Sequence, residues 1–188
     1  RGREMALLEG ALRGSHGNGI VALSGPEGIG KSTLIAHAAR WLVRTGRFSQ
    51  VVYSDFLGGG YPEVAIHDLG IRLLGEHYDP ASSNLLESVE RALDDTPTLV
   101  IWDHLESILP DGQFALPAQA SGVAGTQGGG PLGELLELGA RFSRVGQSRL
   151  VVITDRAGLP HPAYGSPDRL SLSMELLGLD PSDAPGLL

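Results

Sequence analysis

The sequence of 188 residues contains no cysteine, which excludes disulfides, thiolate zinc sites and cysteine nucleophiles. It also lacks any apolar run near the ~18 residues that a membrane-spanning helix needs, and no charged-then-apolar leader opens it. A membrane is therefore not an expected partner, and the expected location is cytoplasmic. There is no Lys/Arg-rich stretch either: 14 basic residues face 22 acidic ones, for a net charge of −8. Sequence-independent binding of nucleic acid is mostly phosphate neutralisation, so no nucleic-acid partner is expected. What is present is enough apolar residue, 41% of the chain, to build a core.

Lysine is almost missing as well. Lys31 is the one lysine among the basic residues, the rest being arginine. A genome biased toward Arg codons accounts for the bias but leaves open why one lysine is kept. Arginine is a planar fork and lysine a compact point charge, so a site that accepts only the point charge is a candidate for the exception. Glycine (27) and proline (12) are plentiful, together about a fifth of the chain against the usual ~12%. The chain opens on Arg1 and closes on Gly186-Leu187-Leu188, and is read as a piece of a longer protein.

Hydrophobic periodicity predicts alternating strands and helices. Strands are expected at 20–23, 51–54, 99–102 and 150–153, with a fifth around 169–172. Helices are expected at 5–12, 31–44, 63–75 and 84–94, and from Pro131 onward. In the helix over 31–44, Leu34, Ile35, Ala38, Trp41 and Leu42 form the apolar stripe, and Gly46 is placed to end it. Residues 109–130 are rich in Gly, Ala, Pro and Gln; a flexible surface insertion and a partner-binding loop are both open for them. Apolar strands alternating with helices imply a parallel sheet covered on both faces. Such sheets bind ligands at the carboxyl ends of their strands, so chemistry is expected just after residues 24, 54, 102 and 153.

After the first strand stands Gly25-Pro26-Glu27-Gly28-Ile29-Gly30-Lys31-Ser32-Thr33, a full match to G-x-x-x-x-G-K-[ST] between a strand and a helix. Glycines let backbone N–H groups curl round phosphate oxygens, and the helix start adds its dipole. Lys31 would reach the β- and γ-phosphates, and Ser32 would supply a hydroxyl to Mg²⁺. The predicted class is therefore an α/β P-loop NTPase, a three-layer sandwich around a mostly parallel five-stranded sheet.

The third strand ends in Asp103-His104-Leu105-Glu106. Asp103 stands where a P-loop protein holds Mg²⁺ through water; the alternative is a strand-ending aspartate that caps the next turn. Glu106 is open between a general base for the attacking water and a solvated surface acid, while His104 is read as a neighbour without chemistry. Thr154-Asp155-Arg156 follows the fourth strand, and Arg156 is open between sensing the γ-phosphate and pairing with Asp155 on the surface. His16, His37, His67, His77 and His161 show no metal-ligand spacing.

The set Gly2-Arg3-Glu4, residues 25–33, 99–106, 149–156 and 172–188 resembles the signal-transducing STAND class of P-loop ATPases, relatives of the NB-ARC and NACHT modules and of the AAA+ ATPases. The resemblance covers nearly the whole chain, and its specificity lies in the order and spacing of the pieces, since the P-loop is shared by many families. It implies an adenine pocket involving Arg3, a first sensor at Thr154 and Arg156, and a helical lid opening over 176–188. It divides the chain into an N-terminal adenine-pocket segment (1–18), the P-loop domain (19–175) and the start of the lid (176–188). His104 stands where plant-type NB-ARC modules carry a second acid; D-x-x-E is nearer the NACHT form and leaves water activation to Glu106.

The function that this resemblance implies is an ATP/ADP-binding switch of low turnover that uses Mg²⁺. It would self-associate through this module and carry fused effector and sensor domains, in a signalling, defence or cell-death setting. Alternatives are a motor-type AAA+ ATPase, a P-loop kinase, and a scaffold that holds nucleotide without hydrolysing it.

Overall fold

The computed structural model describes residues 1–13, 19–58, 61–108, 131–164 and 171–178. The expected insertion at 109–130 lies outside them, as do Gly59 and Gly60, Arg169 and Leu170, and most of the expected lid.

The strands are β1 (Ile20–Ser24), β2 (Gln50–Asp55), β3 (Thr98–Asp103), β4 (Arg149–Thr154) and β5 (Ser171–Glu175), and the helices α1 (Gly2–Arg13), α2 (Lys31–Arg44), α3 (Pro62–Leu74), α4 (Leu85–Asp95) and α5 (Pro131–Phe142). The five strands form one sheet in the order β2-β3-β4-β1-β5, and every adjacent pair is parallel. The P-loop strand β1 is thus interior, between β4 and β5.

The apolar runs divide by the two-residue period of a strand. Ile20, Ala22, Val100, Trp102, Leu150 and Val152 pack on one face against α3, α4 and α5. Val21, Leu23, Leu99, Ile101, Val151 and Ile153 pack on the other, against Leu8 and Leu12 of α1 and Leu34, Ile35, Ala38 and Leu42 of α2. This is a three-layer sandwich. One contact fixes the spacing of α5: a Cβ on Gly139 would stand 2.7 Å from both Leu150 and Trp102, so only glycine lets the helix lie this close to the sheet.

One boundary and one buried position differ from expectation. The fifth strand lies later than expected, over Ser171–Glu175; as an edge strand it buries Met174 but leaves Ser173 and Glu175 exposed, so its apolar signal is thin. Trp41 is not part of the buried stripe: it is 43% exposed, and its indole N–H donates to Glu9 of α1. Gly46 does close α2, with φ +71 and its N–H on the carbonyl of Val43. Among the described residues no helix is long and apolar enough to cross a membrane.

Candidate functional site

The chain leaves β1 at Ser24 and turns through residues 25–30 into α2. Gly25 takes φ +149, and a Cβ there would stand 2.6 Å from the carbonyl oxygen of Leu176 beyond β5. Gly30, the residue that caps α2, is left-handed (φ 96, ψ 26), and among the described residues no side chain caps the helix start. The helix start also carries no acid in its first turn. Unsatisfied N–H groups and the positive end of the helix dipole therefore face the loop. Such a helix start favours an anion. The Lys31 ammonium lies over the loop, donating to the carbonyls of Gly25 (2.7 Å) and Pro26 (3.1 Å).

Parallel pairing brings the carboxyl ends of the strands to this loop. Asp103, the last residue of β3, is 1% exposed. Its Oδ2 accepts from the Ser32 hydroxyl at 2.7 Å and from the Tyr53 phenol at 2.9 Å. Its Oδ1 accepts the backbone N–H of His104 at 2.9 Å. A buried carboxylate without such donors would be costly.

His104 is the one non-glycine residue of positive φ (59°) among the described residues, a conformation uncommon for a side chain of this size. Its Nδ1 stands 2.8 Å from Asp55 Oδ1 at the tip of β2. Burial works to lower the His104 pKa, but the bond to Asp55 and the charges of Asp103, Asp55 and Glu106 outweigh it and raise the value. The Asp55 carboxyl is held below its ordinary value, first by the Leu57 N–H, against the opposing effect of burial, and then by His104. The Tyr53 phenol is pushed up by burial and then by its bond to Asp103 and the nearby negative charge.

Asp103 and His104 line a cleft of about 500 Å³ whose other walls include Glu27, Gly28, Gly30, Lys31, Ser32, Thr33 and Glu106. Leu57 after β2, Ser107 after β3 and Asp155 after β4 complete it. A larger groove, about 880 Å³, lies elsewhere between α3 and α5, near Ile66, Leu138 and His161. It contains none of the chemistry-bearing residues read from the sequence, so size alone does not mark the site.

Glu106 lines the cleft while its Oε2 accepts the backbone N–H of Asp155 at 3.1 Å, tying the β3 tip to the β4 tip. Arg156 is not among the cleft-lining residues. Its Nε stands 3.6 Å from Asp155, and its N–H donates to Thr154 Oγ1 at 3.3 Å. Arg3 is exposed on the first turn of α1. The neighbouring Arg1 does the bridging: its guanidinium donates to the carbonyls of Ile29 (3.0 Å) and Leu177 (2.8 Å) and pairs with Glu4. Tyr53, Asp55 and Arg1 were not singled out by the sequence reading. Their roles come from pairing between strands and segments far apart in the chain.

Ser32 and Asp103 also pass a test of fit for a divalent cation. One hydroxyl and one carboxylate beside a glycine-rich loop suit Mg²⁺, which keeps several waters and can take its remaining oxygens from phosphates. The described residues contain no cluster of three or more His/Cys/Asp/Glu that could serve as an all-protein cage.

The chain has a P-loop α/β fold, with an acid at the tip of β3 and the loop on an interior strand of a five-stranded parallel sheet. No family model matches the sequence, and no curated protein matches it. Among solved structures it is similar to the Aeropyrum pernix ORC1 protein in complex with DNA, with TM-score 0.58 and 17% identity over 93% of this chain and 43% of that one. It is similar to Cdc6p from Pyrobaculum aerophilum, with TM-score 0.58 and 16% identity over 83% of this chain and 39% of that one. It is similar to C. elegans PCH-2, with TM-score 0.53 and 14% identity over 93% of this chain and 40% of that one. The chain thus spans less than half the length of each.

One expectation is corrected. The acidic balance led us to expect no nucleic-acid partner, yet a protein of this fold is bound to DNA in the ORC1 structure. Net charge averages over a whole surface, whereas phosphate contacts are local. It is no ground for exclusion here.

Proposed function

We propose that the chain is the ATP/ADP-binding module of a Mg²⁺-dependent ATPase. The observation that carries this reading is the 2.7 Å bond between Ser32 and Asp103 beside the Lys31-bearing loop. It gathers a phosphate cradle, a point charge, a hydroxyl ligand and a carboxylate to receive metal-bound water at one spot. Lys31 and the loop N–H groups hold the phosphates, and Ser32 and Asp103 hold the metal, which supplies neutralisation of charge on the transferred group. Glu106 is the candidate to orient or activate water. Arg156 is the candidate sensor, on a loop that Glu106 tethers.

The finer reading is a STAND-type switch, which the order of motifs supports. ADP holds such a protein closed, ATP permits self-association, and effector and sensor domains outside these residues provide input and output. A second reading, a motor-type AAA+ ATPase, is favoured by the likeness to ORC1 and PCH-2, and the DNA in the ORC1 structure makes DNA an eligible partner. Denaturing the purified protein without added nucleotide and chromatographing what is released separates them. Stoichiometric ADP supports the switch; no nucleotide, with rapid turnover once ATP is added, supports the second.

A further inference from the structure

We infer that Tyr53 is a positioning residue of the metal site, acting through Asp103; this deepens the nucleotide-binding reading and rests on it. A carboxylate offers about four acceptor positions, two on each oxygen. Among the described residues, three donors are assigned to Asp103. Ser32 and Tyr53 both donate to Oδ2, and the His104 N–H donates to Oδ1. Oδ2 is thereby filled, and the acceptor position left over is on Oδ1. A serine hydroxyl can donate its proton and still offer a lone pair, so Ser32 keeps its bond to Asp103 while serving as an oxygen ligand. With Oδ2 taken by two hydroxyls, a metal-bound water has one place to donate, and the carboxylate presents that place in one orientation.

The register accounts for the reach of Tyr53. Tyr53 pairs with Ile101 and Asp55 with Asp103, so Tyr53 lies diagonally one step back from Asp103 on the same face of the sheet. Tyr53 is 43% exposed. A tyrosine placed there for packing alone would bury its ring, whereas this one leaves much of the ring in solvent and puts its hydroxyl on a buried carboxylate. Partners of this outer kind orient ligands, and losing one typically costs 10–100-fold in metal affinity.

The test is calorimetric titration of ADP into the purified protein, first in EDTA and then across a MgCl₂ series, for the natural sequence and for Tyr53→Phe. The inference predicts equal ADP affinity in EDTA and a Mg²⁺ midpoint raised about tenfold by Tyr53→Phe, alongside whatever the urea midpoint loses with one donor to a buried carboxylate. An unchanged or lowered Mg²⁺ midpoint overturns the role of Tyr53 while leaving the nucleotide reading intact. ADP that fails to bind the natural sequence, with or without Mg²⁺, overturns both. A purely structural role would lower the urea midpoint while leaving the Mg²⁺ midpoint where it is, or would weaken ADP in EDTA and in MgCl₂ alike.

Discussion

The Ser32 hydroxyl donates to Asp103 Oδ2 across 2.7 Å, so the first turn of α2 is fastened to the tip of β3 by two residues 71 positions apart. Replacing Asp103 by asparagine keeps the shape but removes the charge that attracts a cation. We expect Asp103→Asn to bind nucleotide in EDTA as the natural protein does, and to lose most of the Mg²⁺-dependent gain, about 10–100-fold. Titrations with and without MgCl₂ check this.

Lys31→Arg separates charge from shape. The guanidinium keeps the positive charge but is a broad fork, and the loop carbonyls of Gly25 and Pro26 receive a compact ammonium at 2.7 and 3.1 Å. Affinity for ATP should fall by more than about tenfold, or ~1.4 kcal/mol. Normal binding by Lys31→Arg would refute the point-charge argument.

Glu106→Gln tests water activation apart from tethering. A glutamine carbonyl can still accept the Asp155 N–H, so the link between the strand tips survives. A positioned general base contributes typically 10²–10⁴-fold. Glu106→Gln should therefore slow ATP hydrolysis by at least ~100-fold with binding little changed; unaltered turnover would leave Glu106 the tether alone.

Gly139→Ala probes the fold away from the site. The added methyl would press on Tyr164 and stand 2.7 Å from both Trp102 and Leu150 in the buried core. Overpacking of this kind costs about 1–3 kcal/mol, readable as a lowered urea midpoint. Gly28→Ala, whose Cβ meets nothing within 4 Å, should leave the core packing untouched and act only through its positive φ.

How much of this was legible in the sequence follows from how local each feature is. The P-loop is a contiguous run between a strand and a helix, and it stands where the sequence puts it. Asp103 was readable because four apolar residues mark the strand that it ends. Tyr53 and Asp55 were not, because their partners Asp103 and His104 lie 50 and 49 positions away and meet them only through the β2–β3 register. His104 was read as chemically idle; its left-handed backbone and its bond to Asp55 depend on contacts that no local pattern encodes. Trp41 fits helical spacing for burial, yet lies at the margin of the stripe, where an indole N–H finds Glu9.

The most direct measurement is the equilibrium binding of ATP to the purified protein with MgCl₂, set against the same titration of Lys31→Ala. The account predicts saturable binding by the natural sequence, strengthened by Mg²⁺, and none detectable for Lys31→Ala in a protein that still unfolds cooperatively. Equal binding by the two would contradict it, because the phosphates would then lie somewhere other than the loop over residues 25–33.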